Sequence, residues 1–553
     1  MRHGGQILVD QLLSQGVDTV FCVPGESFLA ALDGLHDAGT VKTVVCRQEG
    51  GAAMMAEADA KLTGRPGVCF VTRGPGATNA SIGVHIARQD STPMVMFVGL
   101  PAQAMEDREA FQEFDFKAMF GALAKWAAVV PETARLPEYI SQAFHVAASG
   151  RPGPVVIGLP EDILSAKADT GDMKAARIAQ PAPAANDMAM LQQALSRAKR
   201  PLVIVGGPGW SEGVRAKAQQ FAARFGLPVA ASFRCQDFFD NTDPHYVGHV
   251  GIGIEPTLAS AVTSADVLIV VGARLGEMTT SGYTLVSSPE PQQFLVHVHP
   301  DPSELGRVYR PDVPIASSAE AFFDAALALE GSAQPQWSAH LEALRSAYDA
   351  FCIPQTTPGD IRMEDIVVTL DDMLADDAII ANGAGNYTAW VHRYRRYRRY
   401  RTQLAPTAGA MGYGVPAGVA AAIRSSMSGG ARQIVTFAGD GCFLMNAQEL
   451  ATAAQYGVRL LMIVVNNGMY GTIRMHQEKN YPGRVMGTSL ANPDFVAYAK
   501  AFGGDGEVLR KTDDIRAALQ RGLTSDVPYL IEVPIDQQAL TPKQTLDEIA
   551  GRA

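Results

Sequence analysis

The 553-residue chain has no Cys-x-x-Cys pair, no adjacent histidines, no short tandem repeat, no apolar run long enough to span a bilayer and no surplus of basic residues. Each absence removes a class. The six cysteines, Cys22, Cys46, Cys69, Cys235, Cys352 and Cys442, stand singly, several within apolar runs. That argues against a disulfide or zinc framework and for buried free thiols in a reducing cytoplasm, the expected location. Without a membrane-length segment, no membrane role is expected. The first ten residues pass into an amphipathic helix pattern without the apolar core of a signal peptide. Basic residues number 46 against 57 acidic ones, a net charge of −11, which points away from a nucleic-acid partner. With 47% apolar and 19% charged residues the chain is globular.

Its length suits about three domains. Two stretches rich in Pro, Ala and polar residues, 179–187 and 331–358, read as linkers that divide the chain into residues 1–178, 188–330 and 359–545. Within each part, short apolar runs alternate with helical patterns. Strands are expected at 19–23, 43–46, 68–72 and 94–98, then at 202–205, 229–231, 267–271 and 294–298, and again at 377–381. The implied class is α/β, with three doubly wound parallel-sheet domains. The turn Gly206-Gly-Pro-Gly209 has a nucleotide-loop look, but a lone glycine-rich turn serves equally as a plain strand-to-helix connection.

The most informative feature is Gly439-Asp-Gly441, followed after twenty-four residues by Asn466-Asn467. Each end follows a short apolar run, 433–438 and 460–465, suited to a parallel strand buried on both faces. A helix expected over 446–456, closed by Gly457, joins them. A right-handed crossover then brings Asp440 and Asn467 to one sheet edge. A carboxylate, an amide carbonyl and a backbone carbonyl near Met469 are the hard oxygen ligands that Mg2+ takes alongside phosphate oxygens. Asp-Gly and Asn-Gly are also ordinary turn formers. The strand-helix-strand context is what favours a site. A further turn, Asn382-Gly-Ala-Gly-Asn386, follows the run 377–381, and backbone amides at such a turn approach an anionic diphosphate closely.

With Arg47-Gln-Glu49, Gly74-Pro-Gly-Ala-Thr-Asn79, Phe111-Gln-Glu113 and Gly409-Ala-Met-Gly-Tyr-Gly414, these segments resemble the thiamine-diphosphate-dependent enzymes across nearly the full chain, most closely the acetolactate synthase large-subunit branch. The resemblance implies that residues 1–178 bind the cofactor's pyrimidine, that 188–330 form a central domain, and that 359–545 bind diphosphate and Mg2+. It gives Glu49 the hydrogen bond to the aminopyrimidine ring that promotes loss of the thiazolium proton, chemistry otherwise carried by the cofactor. Gln112 resembles a polar residue presented to a neighbouring subunit's cofactor, and Met411 the apolar residue that holds the two cofactor rings in a folded V. Cofactor contacts are implied for Pro24, Asn79, Asn386, Tyr387, Gly409, Gly439, Gly441, Cys442 and Tyr470, with Asp440, Asn467 and Met469 at the metal. Glu26, Phe111, Gln112 and His476 are implied to line the substrate pocket.

The implied reaction is decarboxylation of a 2-oxoacid with carboligation to a second carbonyl, in a homodimer or homotetramer with its active site at the subunit interface. A non-ligating decarboxylase, an acyloin or acyl-CoA lyase, and a non-catalytic regulatory paralogue are the alternatives. Some positions depart from the family pattern. Gln48 replaces a histidine, and Glu26 adds a negative charge that would repel an anionic 2-oxoacid. Thr72 and Arg73 precede Gly74, without the histidine that aryl decarboxylases carry nearby, and no His-His pair occurs, which favours a carboligase over simple decarboxylases. Gly272-Ala-Arg274 resembles a flavin-binding run, but Gly276 and Met278 replace its acidic and basic residues, which leaves FAD open. The basic run 393–401 is expected as a helix face or loop near the cleft rather than a nucleic-acid patch.

Overall fold

The computed structural model describes residues 1–331, 335–430 and 432–552. Each of the three parts holds a six-stranded, all-parallel sheet flanked by helices. The apolar runs make the central strands: Gly67–Val71, Met94–Leu100, Pro201–Val205 and Val267–Val271 are buried along their whole length. Such strands have no solvent face, which is why they read as continuous apolar runs.

The first sheet runs in the order Lys42–Val45, Thr19–Cys22, Gly67–Val71, Met94–Leu100, Pro154–Pro160, Trp126–Val129. The third repeats that order with Gln403–Leu404, Ile379–Asn382, Ile434–Gly439, Leu461–Asn466, Tyr529–Pro534 and Asp505–Val508. Counted along the chain, both read 2-1-3-4-6-5. The central sheet differs: Tyr246–His249, Val229–Ala231, Pro201–Val205, Val267–Val271, Phe294–His299, Val313–Ala316, or 3-2-1-4-5-6. That is the order of dinucleotide-binding sheets.

The crossover from Gly439 to Asn466 is shorter in helix than the pattern suggested. A 3-10 turn, Ala447–Glu449, leads into the helix Leu450–Gln455, and Gly457 closes it with φ +59°. The stretch 331–358, expected as linker, contains the helix Ser338–Phe351, which buries Leu344 and Tyr348 against the central domain; residues 332–334 of it lie outside the described residues. The helix Ala185–Arg197 begins within the other expected linker.

The helix Glu49–Thr63 of the first domain packs on Gly414–Met427 of the third, and one continuous core runs through both, including Ala52, Met54, Met55, Tyr413 and Val415. Buried polar groups seam the same contact. Lys61 Nζ lies 3.0 Å from Glu57 Oε1 and also bonds Asp90, and the Tyr413 hydroxyl donates to Glu57 at 2.6 Å. The basic run is internal in its first half: Arg393, Arg395 and Tyr397 are buried, Asp371 pairs with Arg395 and Arg398, and Arg399 is exposed.

Candidate active site

In the third sheet the strand order reverses between Ile379–Asn382 and Ile434–Gly439, and open α/β sheets bind ligands in the crevice at such a point. A cleft of about 250 Å³ opens there. The loop after Ile379–Asn382 contributes Asn386 and Tyr387; the loop after Ile434–Gly439 contributes Gly439, Asp440, Gly441 and Cys442. Beyond Leu461–Asn466 come Asn467, Met469 and Tyr470, and Gly409 and Met411 complete the wall. Of the candidates in this domain, only His476 does not line the cleft; it is exposed on the helix Gly471–Asn480.

Asp440 is 3% exposed. Its Oδ1 accepts from the Gly441 N–H at 2.9 Å and its Oδ2 from the Asn492 amide at 2.8 Å. Burial pushes its pKa up, and these hydrogen bonds pull it back; among the described residues no basic group takes part. A carboxylate buried without a cation is costly, so the donor set suits a bound divalent ion. Among the described residues no group of three or more His, Cys, Asp or Glu could hold a metal alone. One carboxylate beside amide and carbonyl oxygens is what magnesium accepts when phosphate oxygens and water supply the rest.

The remaining walls are braced against one another. The Asn386 side-chain oxygen accepts from the Thr472 hydroxyl at 2.8 Å. Cys442 Sγ accepts from the Gly412 N–H at 3.1 Å and lies 3.6 Å from the Tyr387 hydroxyl, which accepts from the Gly383 N–H at 3.1 Å. These contacts fix the turn beside Met411, whose half-buried side chain packs on the third-domain core. A Cβ on Gly383 would fall 2.6 Å from Cys442 Sγ, so the close approach needs glycine.

The first-domain candidates gather on a different edge. Pro24 and Glu26 follow Thr19–Cys22, Glu49 follows Lys42–Val45, Asn79 follows Gly67–Val71, and Phe111 and Gln112 follow Met94–Leu100. Asn79 Nδ2 donates to Glu49 Oε2 at 2.9 Å. Arg73 lies 3.8 Å from Glu26, pairs with Glu161 and donates to the Phe111 carbonyl at 3.2 Å, while the Gln112 carbonyl accepts from the Gly74 N–H at 3.0 Å. Gln112 sits at φ +63°, and Phe111 is 69% exposed at the tip of this loop. None of these six lines the cleft of the third domain.

Sequence reasoning missed Asn492, whose amide also bonds Asn466 Oδ1 at 3.0 Å, and the wall formed by Trp390, Ile473 and Leu540. No local motif marks them.

In the central sheet, the crevice between Pro201–Val205 and Val267–Val271 is closed tightly. A Cβ on Gly207 would fall 1.8 Å from the Gly272 carbonyl oxygen, and buried Trp210 donates to the Gly206 carbonyl at 2.9 Å. Arg274 donates to the Gln89 carbonyl of the first domain at 2.7 Å. Among the described residues no helix is long and apolar enough to cross a membrane.

Three family descriptions match the chain in order: the N-terminal TPP binding domain of thiamine pyrophosphate enzymes over residues 2–119, their central domain over 188–326, and their C-terminal TPP binding domain over 383–533. The acetolactate synthase large subunit of Parasynechococcus marenigrum is 33% identical over 548 residues, covering 96% of this chain and 87% of that protein. The acetolactate synthase isozyme 2 large subunit of Escherichia coli is 32% identical, covering 97% and 96%. With motifs, sheet topology and sequence similarity all in one register, the chain belongs to the thiamine pyrophosphate enzyme family.

Proposed function

We propose that this protein decarboxylates a 2-oxoacid and joins the remaining acyl unit to a second carbonyl, as the acetolactate synthase name of its relatives describes. One observation carries the reading: the cleft holds a buried, cation-free carboxylate and the Met411 wedge, but no histidine, glutamate or lysine among its lining residues. Thiamine diphosphate, when bound, supplies an acidic carbon that becomes a nucleophile after losing its proton. The chain's residues then anchor, orient and hold protons. Asp440, Asn467 and the backbone at Met469 would hold Mg2+, and Asn386 with the amides of the glycine-rich turns would meet the diphosphate. Met411 would hold the two rings together, which is worth several kcal/mol, about 7–11 for well-oriented groups.

Glu49 would hold a proton against the pyrimidine nitrogen. Since Glu49 does not line its own chain's cleft, the reading implies a homodimer or larger assembly in which the first domain of one copy faces the third domain of another. Phe111 and Gln112, on an exposed loop, would then complete the substrate pocket beside Glu26. Flavin stays outside the proposal, because Gly276 offers no side chain and Arg274 is engaged with Gln89.

Calorimetry should find thiamine diphosphate binding that depends on Mg2+. Pyruvate offered with a second carbonyl acceptor should give a carbon–carbon bonded product, and Glu49→Gln should turn over at most about one-hundredth as fast. Free aldehyde as the sole product would assign a non-ligating decarboxylase. No binding of the cofactor would sink the reading.

A further inference from the structure

The stretch of the first domain that leads into Glu49 is gripped by the third domain. Glu449, at the end of the turn Ala447–Glu449, is 0% exposed. Its carboxylate accepts from the peptide N–H of Arg47 at 3.1 Å and of Gln48 at 3.0 Å, and from the hydroxyl of Thr452. Burial raises its pKa, and these hydrogen bonds with the charge of Arg47 lower it again. Gln455 accepts from the Arg47 guanidinium; the Tyr456 hydroxyl accepts from the Val45 N–H at 2.7 Å and donates to the Thr43 carbonyl at 2.9 Å. One flank of the helix Leu450–Gln455 therefore holds residues 43–48 largely by their backbone. Gly51 makes room for it: a Cβ there would fall 2.5 Å from Glu449 Oε1.

We propose that Glu449 is a positioning residue for Glu49, fixing the two peptide units immediately ahead of it and so the direction in which the Glu49 carboxyl leaves the helix start. The inference rests on the proposed role of Glu49. The other local contacts do not suffice: the Gln48 side chain accepts from the Gly51 N–H at 2.9 Å, and Asn79 holds a single oxygen of Glu49. Both peptide N–H groups reach Glu449 Oε1, and that of Arg47 also lies 3.2 Å from Oε2, so one acceptor oxygen at the Oε1 position serves both and a charge is not required. A glutamine at 449 can place its carbonyl oxygen in that position, whereas an alanine leaves two buried donors unpaired.

The test compares Glu449→Ala, Glu449→Gln and Gly51→Ala with wild type in the assembled enzyme, with Glu49→Gln in parallel. Glu449→Ala should lower kcat about a hundredfold, the cost of misplacing a reacting group by about 1 Å. Its KM and its affinity for thiamine diphosphate with Mg2+ should stay within about threefold. Amide hydrogen exchange at Arg47 and Gln48 should quicken, and Glu449→Gln should restore most of the rate. If Glu449→Ala does not fold, Gly51→Ala, which displaces the carboxylate without deleting it, carries the same expectation. Folded variants with wild-type kcat overturn the proposal. Full activity in Glu49→Gln would instead remove the role assigned to Glu49, and loss in Glu49→Gln with none in Glu449→Ala would sink the positioning role alone.

Discussion

Asp440 shows how a single residue carries opposite stability and function requirements. Its carboxylate is buried among amide donors with no basic partner among the described residues, and burial raises its pKa. Asp440→Asn keeps the size and removes the uncompensated charge, so the unfolding midpoint of the cofactor-free protein should hold or rise. Affinity for Mg2+ with thiamine diphosphate should fall at least about a hundredfold by calorimetry, the upper end of what losing even an outer-shell partner costs a metal site. A variant that binds as wild type does would remove Asp440 from the metal. At this scale the sequence was legible where the site is built from contiguous residues: Gly439 to Cys442 and Asn467 to Tyr470 fall on adjacent strand ends. Asn492 and Glu449 were not legible, because their partners lie 52 and 402 residues away and neither sits in a marked turn.

Apolar runs such as Met94–Leu100 and Val267–Val271 declared themselves, but the equally buried Pro154–Pro160 was not expected, its run being bounded by a proline at each end, and elements that are short, polar or at an edge did not show. Val313–Ala316 is four residues with Pro314 inside it, Asp505–Val508 is polar at its start, and Gln403–Leu404 has only two residues; none carries a long, uninterrupted apolar signal. The burial of the helix Glu49–Thr63 against Gly414–Met427 was not legible, since that contact depends on how two domains meet. Charge inside this contact makes it testable. Lys61 is the cation between Glu57 and Asp90, whose carboxylates are 0% and 1% exposed, and its ammonium also donates to the Ala405 carbonyl at 3.2 Å. Lys61→Met leaves two buried carboxylates facing each other and should cost about 3–5 kcal/mol in denaturant unfolding. Adding Glu57→Gln should recover part of that loss. A Lys61→Met protein as stable as wild type would show that the seam does not depend on the pair.

On the scale of the whole molecule, repeated topology was readable in part. The alternation of apolar runs and helical patterns in the first and third segments is matched by a shared 2-1-3-4-6-5 order, whereas no strand order, including the central 3-2-1-4-5-6, was readable, because it depends on which side each crossover takes. The central domain contributes no residue to the lining of the cleft but carries histidines buried in the neutral form. Burial lowers His249 and His299 to about 4, and the Asp301 N–H donates to His299 Nδ1 at 3.0 Å. For these groups the folded pKa lies below the unfolded 6.5. Their stabilising contribution is therefore present above pH 6.5 and lost as pH falls towards 4, when the unfolded chain binds a proton that the folded one refuses. Buried carboxylates act in the opposite sense: Asp237, raised to about 6 by burial, favours the folded state as pH falls through that value. The raw acid profile thus sums opposing contributions, and a single substitution isolates one. In His299→Asn, whose amide oxygen can take the place of Nδ1 as acceptor for the Asp301 N–H, denaturant unfolding measured from pH 7 down to pH 4 should lose about 3 kcal/mol less than wild type does, with the difference opening below about pH 6.5. Parallel profiles for the two proteins would mean that His299 titrates alike folded and unfolded, and that the acid response of the central domain arises elsewhere.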